Sequence, residues 1–196
     1  MLKRYAIIVL TGILFAGNAF ATVTEEVKKT VDEVVKIVSD KELKKNTPKR
    51  RQILKKTISN IFDYSEMAKR SLGKHWKART PAEKNQFVEL FATLLENSYA
   101  DKIESYNNEK IVYIKENLDG DNAEVKSKVV TAKRDEFTLD YRMMKQSNKW
   151  MVYDVVIEGV SLVSNYRSQF NRIITANGYP ELVKKLQNKS NEIKAP

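Results

Sequence analysis

The 196-residue chain contains no cysteine and a single histidine. Disulfides, thiol nucleophiles, Cys-ligated zinc and iron–sulfur clusters are excluded, as is any site that needs two imidazoles. Glycine and proline are sparse, at 6 and 4 residues, and neither common glycine-rich phosphate loop occurs. Acidic groups are the minority, 25 against 35 Lys and Arg, for a formal net charge of +10. Apolar side chains are plentiful. At 42 % hydrophobic, with 9 Tyr, 7 Phe and 2 Trp, the chain is too apolar to be disordered and long enough for one domain with a core.

The first 21 residues read as a secretory signal peptide. Lys3 and Arg4 precede the apolar run Tyr5 to Ala16, and Ala19-Phe20-Ala21 supplies the small-x-small pattern of a cleavage site after Ala21. A transmembrane anchor is the rival, but the run falls short of the ~20 residues that span a bilayer and carries Thr11 and Gly12. No cysteine follows to take a lipid. The expectation is an exported soluble protein, with residues 22–196 as a single domain. Cleavage removes two basic side chains and no acidic ones, so the net charge falls from +10 to +8. An exported chain rarely meets nucleic acid, so this basicity fits anionic lipid head groups or acidic protein surfaces better. The densest basic stretch, Lys41 to Lys56, reads either as a solvated loop and helix face or as a docking patch.

Residues 22–196 read as helices, then strands, then helices. Val23, Val27, Val31, Val34, Val35 and Val38 recur at helical spacing over residues 23–39. Thr47-Pro48 reads as an N-cap and first helical residue for a helix carrying Ile53, Leu54, Ile58 and Ile61. A short helix from Phe62 ends near Gly73. Thr80-Pro81-Ala82-Glu83 is a capping box opening the longest helix, whose apolar face runs from Phe87 through Phe91, Leu94, Leu95, Tyr99 and Ile103 to Tyr106. After Asn108 the period becomes 2. Strands are expected at 111–114, 123–129, 137–143 and 150–157, with a turn at Asp119-Gly120. Helical periodicity returns after Gly159 and runs to Asn177-Gly178. A final helix starts at Pro180, and the polar tail from Asn188 to Pro196 reads as frayed.

The last hairpin sets a register. A three-residue loop, Ser147-Asn148-Lys149, places Gln146 opposite Trp150 and sets Leu139, Tyr141 and Met143 against Ile157, Val155 and Tyr153. On the other face Arg142 then meets Asp154, as an ion pair bracing the sheet. A two-residue loop would shift every side chain to the wrong face. The fold class is therefore α+β, with several helices on one face of a four-stranded antiparallel meander.

Catalytic chemistry is nearly absent. His75 has no acidic residue near it in sequence and reads as a helix-end histidine. Asp119, Asp121 and Glu124 lack the twelve-residue calcium-loop pattern and read as a solvated turn. No metal, cofactor or enzymatic site is expected. Basic residues interleave with aromatics only around Asn165 to Phe170, where the aromatics keep the core period. The surplus of large apolar side chains admits two readings: a well-filled core, or a hydrophobic cavity between sheet and helices.

Three stretches resemble a known family. They are Phe62-Asp63-Tyr64-x-x-Met67, then Leu72-Gly73-x-x-Trp76, then Phe87-x3-Phe91-x2-Leu94-Leu95-x3-Tyr99. The most specific stretch runs from Trp150 through Val152-Tyr153-Asp154, Ile157-Glu158-Gly159 and Asn165-Tyr166-Arg167 to Phe170. With the leader, their order and spacing resemble the toluene-tolerance auxiliary (MlaC) family over about Leu54 to Leu186. The turn at Ser147-Asn148-Lys149 departs from the family pattern, which often has glycines there. The first helix and the Lys41–Lys56 stretch carry no recognised motif.

The resemblance implies a periplasmic phospholipid carrier that shields acyl chains in a cavity. It shuttles lipid between an outer-membrane lipoprotein–porin complex and an inner-membrane ABC transporter carrying a lipid-binding ring protein, maintaining outer-membrane lipid asymmetry. The expected cavity lining is the set of apolar faces that the helix and strand phases point inward: Tyr64, Met67, Trp76, Phe91, Leu94, Leu95, Tyr99, Tyr141, Met143, Tyr153, Val155, Tyr166, Phe170 and Ile174. The alternative is an exported interaction or adaptor module with a filled core and no lipid.

Overall fold

The computed structural model describes residues 22–192, so the leader expected at residues 1–21 and its cleavage site lie outside the described residues. Among the described residues seven α-helices and five strands follow the order α1 (Val23–Ser39), α2 (Lys41–Lys44), α3 (Thr47–Ser59), α4 (Tyr64–Leu72), α5 (Pro81–Glu104), β1 (Lys110–Asp119), β2 (Asn122–Val130), β3 (Glu136–Gln146), β4 (Lys149–Ile157), β5 (Val160–Ser161), α6 (Leu162–Asn177) and α7 (Tyr179–Glu192). The strands form one antiparallel meander in sequence order. The α+β class holds. The fifth strand, absent from the four-stranded expectation, is two residues long and too short to leave a period in the sequence.

The helix ends follow their capping chemistry. Thr22 accepts from Glu25 N at the start of α1. Asn46, not Thr47, caps α3, one residue earlier than expected, because its side chain reaches Lys49 N. Asp63 caps α4, and the Thr80–Glu83 capping box opens α5 as the sequence implied. Gly73 ends α4 at φ 56°, with the stem of Arg167 3.1 Å from where a Cβ would stand, so an L side chain there is both strained and crowded. At the other end of the chain α7 continues to Glu192, past the expected fraying point at Asn188.

Two apolar clusters hold the chain together. A helical one gathers Met67 and Leu72 from α4, Phe87, Phe91 and Leu94 from α5, Phe170 from α6 and Leu182 from α7. Its aromatics meet edge to face: Phe91 with Tyr166 at 5.4 Å and 87°, Phe87 with Phe170 at 5.7 Å and 84°, the geometry that aromatic quadrupoles favour. The second cluster seats Val23 and Val27 of α1 on one face of the sheet, against Val125, Tyr141, Met143, Val152 and Val155. Each such fully buried valine is worth about 1.5–3 kcal/mol.

The last hairpin corrects the sequence argument. Gln146 pairs with Lys149, so the loop is the two-residue Ser147-Asn148, both at positive φ (45° and 64°), the backbone of a tight I′-type turn. The register then shifts between Arg142 and Met143, where Arg142 pairs with Asp154 but Met143 pairs with Val152. Tyr153 is the extra residue of this bulge, and it absorbs the one-residue slip. Leu139 and Tyr141 therefore still face Ile157 and Val155, as expected. Arg142 Nη1 lies 3.2 Å from Asp154 Oδ2. Asp154, buried, also accepts from Ser161 Oγ at 2.6 Å and Val163 N at 3.0 Å, which ties the start of α6 to the sheet.

Candidate functional site

Between the two clusters lies a cavity of about 780 Å³, toward the upper end of the ~300–1,000 Å³ typical of small-molecule sites. Its walls come from four directions. From α1 come Val31, Val34, Val35 and Val38, the C-terminal half of the valine stripe whose N-terminal half sits on the sheet. Leu54 and Ile58 of α3 form a second wall, and Leu95, Tyr99, Ala100 and Ile103 of α5 a third. The sheet contributes Ile111, Val129, Phe137, Leu139, Tyr141, Val155 and Ile157, with Phe62, Tyr64 and Met67 closing the end beside α4.

Polar groups gather at one side. Arg51, Gln52 and Lys55 of α3 face Glu96, Asn97 and Lys102 of α5, with Ser105 and Glu109 beyond. Arg51, Gln52, Lys55, Lys102 and Ser105 are exposed, which sets the opening between α3 and the C-terminal half of α5. Side chains bridge this opening. Arg51 reaches Asp101 at 2.8 Å and Glu104 at 3.1 Å, Arg50 reaches Glu104 at 3.1 Å, and Lys55 reaches Glu96 at 3.0 Å. Burial alone would raise the Glu104 carboxyl, but hydrogen bonds and charge from Arg51 and Arg50 outweigh it and hold it below the usual carboxylate range. Deeper in, burial and the nearby Glu96 charge push the Tyr64 hydroxyl well above its ordinary range, and burial does the same to Tyr141. Both are neutral at neutral pH.

Six of the fourteen residues expected at the cavity line it: Tyr64, Met67, Leu95, Tyr99, Tyr141 and Val155. The other eight do not. Phe91, Leu94 and Phe170 are buried in the helical cluster, with Trp76, Tyr166 and Ile174 packed against it. Met143 lies in the sheet cluster. Tyr153, placed by the bulge, stacks under Arg70 of α4, whose guanidinium is 4.0 Å from the ring centre. The sequence missed α1 and α3, which supply two of the walls. The valine stripe of α1 and the Leu54–Ile58 face of α3 are visible in the sequence, but nothing in either distinguishes a face laid on side chains from one laid on a void.

His75 Nε2 sits 3.0 Å from Asn171 Oδ1, joining the end of α4 to α6. Among the described residues no group of three or more His, Cys, Asp or Glu could hold a metal ion, and no helix is long and apolar enough to cross a membrane.

Comparison with known proteins gives one picture. The family model described as MlaC protein matches residues 28–188. The chain is 24 % identical over 193 residues to the intermembrane phospholipid transport system binding protein MlaC of Haemophilus influenzae, covering 94 % of this chain and 90 % of that one. It is 24 % identical over 182 residues to the toluene tolerance protein ttg2D of Pseudomonas putida, covering 91 % and 85 %. Among solved structures, a phospholipid-binding protein from Ralstonia solanacearum, in complex with a phospholipid, superposes with a TM-score of 0.80 at 28 % identity, covering 89 % of this chain and 99 % of that one.

Proposed function

The chain belongs to the MlaC family, and from that premise we propose that it is a periplasmic phospholipid carrier. It shields acyl chains in the cavity between α1, α3, α5 and the sheet, and takes lipid between outer- and inner-membrane complexes to maintain outer-membrane lipid asymmetry. The observation that carries this reading is the cavity itself, about 780 Å³ with largely apolar walls and its charged side chains gathered at the opening.

The energetics suit a carrier. Two acyl chains of roughly fourteen buried methylenes each, at ~0.8 kcal/mol per methylene, are worth on the order of 20 kcal/mol of transfer free energy. That is near the ceiling of non-covalent affinity, roughly 18–21 kcal/mol, before ordering costs are subtracted. Chain contacts therefore suffice for binding, and Tyr64, Met67, Leu95, Tyr99, Tyr141 and Val155 act together with the α1 valines to make them. Spontaneous exit into water would return that free energy, so release needs a partner that opens the cavity. The partners this implies are an outer-membrane lipoprotein–porin complex and an inner-membrane ABC transporter with a lipid-binding ring protein. Binding by shape and apolar area involves no bond making, so the protein is read as a non-enzyme.

An exported adaptor with a filled core is the competing class, and it has no use for such a void. Native mass spectrometry of the purified protein decides between them, followed by lipid extraction of the same sample. The expected result is a discrete mass excess of bound phospholipid, matched by glycerophospholipid in the extract. A bare mass that persists after incubation with phospholipid vesicles would leave the adaptor as the better account.

A further inference from the structure

The helix that walls the cavity opening is basic on both its sides. α3 contains Lys49, Arg50, Arg51, Lys55 and Lys56 and no acidic residue. Its inner cations are spent on α5: Arg50 and Arg51 on Glu104 and Asp101, Lys55 on Glu96. Lys49 and Lys56, seven residues apart and hence on one helical face, point the other way and are exposed. The preceding α2 adds exposed Lys41 and Lys44, while Lys45 is held by Glu42 at 2.8 Å and Asp40 caps the helix through Glu42 N and Leu43 N. Lys41, Lys44, Lys49 and Lys56 have no carboxylate within ion-pair distance among the described residues.

We propose that the α2–α3 arm is a membrane-docking surface, on which these four lysines seat the protein against an anionic bilayer with the cavity opening at head-group level. The inference rests on the carrier reading, because it asks the basic patch and the lipid cavity to serve one event. Two observations favour a bilayer over an acidic protein. The free cations are all lysines, compact point charges without the planar fork that gives arginine its specific carboxylate partners. The same helix also supplies Arg51, Gln52 and Lys55 to the opening, so an anionic surface held against its outer face lies next to the opening through which a lipid would pass.

Each lysine within reach of an anionic surface is worth about a fivefold gain in partitioning. The four together should give on the order of several hundredfold. The attraction should fade with added salt, since the screening length shrinks from about 10 Å at 0.1 M to about 3 Å at 1 M.

The test is co-sedimentation of the exported protein, residues 22–196, with vesicles of phosphatidylcholine alone or mixed with phosphatidylglycerol. Three proteins are compared: the wild type, K41E/K44E/K49E/K56E, and K133E/K145E/K149E/K184E, which reverses as many exposed lysines elsewhere. Circular dichroism checks that all three are folded. A second set with glutamine in place of glutamate guards against new repulsions. The expected result is salt-sensitive binding to the anionic vesicles only, lost in the arm variants and retained in the control. Equal loss in both sets would reduce the effect to net charge and overturn the proposal. Indifference of the wild type to anionic vesicles would overturn it as well and leave the patch to a protein partner. Lipid extraction of each sample keeps the two readings apart. A protein that carries lipid but ignores vesicles removes the docking surface alone, whereas one that binds vesicles but carries no lipid removes the carrier.

Discussion

Arg50 and Glu104 meet at 3.1 Å with side chains only 10 % and 11 % exposed, and so join α3 to α5 across the cavity opening. Arg51 adds its own contacts to the same carboxylate, while the Arg50 Nε has no partner among the described residues. Glu104→Gln strands the nearly buried Arg50 and leaves Arg51 with Asp101 alone, and should cost about 2–3 kcal/mol. Because its folded pKa is depressed, the contribution is present above the unfolded value of about 4.3 and is lost as pH falls through the folded value. Urea melts at neutral pH should separate the variant from wild type, and the gap should close on acidification. A gap that stays constant down to acid pH would show that the ion pair is not its source.

Ala100 is half-buried on the α5 wall of the cavity. Ala100→Trp projects a large ring into empty space instead of into packed neighbours, so stability should change by only about 1 kcal/mol, half of it lost helix propensity. Copurifying phospholipid should nevertheless fall sharply, as read by native mass spectrometry. Full loading in a folded A100W protein would move the lipid elsewhere.

Phe91 makes the opposite case. It is fully buried in the helical cluster and stands edge to face with Tyr166 and Phe170. Phe91→Ala should cost about 3–5 kcal/mol, yet the protein that remains folded should carry lipid as the wild type does. Replacing Leu94 and Phe170 together by polar residues falls in the same class, since both lie in that cluster and outside the cavity walls. Thermal melts paired with lipid extraction check the dissociation of the two effects.

The tight turn is open to improvement. Ser147 and Asn148 both adopt positive φ, which Asn-Gly tolerates better than Ser-Asn. S147N/N148G should stabilise the fold by about 0.5–1 kcal/mol without altering lipid content. A destabilised variant in denaturant melts would contradict the turn geometry.

The helices and strands were legible because their signals are local. The valine spacing of α1, the capping box at Thr80–Glu83 and the alternation Ala123, Val125, Ser127, Val129 need no tertiary knowledge. The bulge at Tyr153 was not legible, because a turn one residue shorter and a bulge one residue longer cancel at Tyr141 and Val155, and the alternation there looks the same either way. The division between core and cavity was also hidden. Along α5 the stripe Phe87, Phe91, Leu94, Leu95, Tyr99, Ile103 is continuous in hydrophobicity, yet its first half meets α4, α6 and α7 and its second half meets a void. Hydropathy records what a side chain avoids, not what fills the space before it. The α3 wall was hidden for the same reason, since Leu54 and Ile58 read as an ordinary apolar helix face and nothing in the sequence says that a void lies before it.

That unbroken α5 has a mechanical consequence. One end is clamped in close-packed aromatics; the other overhangs empty space, tethered to α3 by ion pairs. It is a cantilever, whose internal hydrogen bonds supply the stiffness. The ion pairs to α3 therefore do for the overhanging turns part of what close packing does for the clamped end.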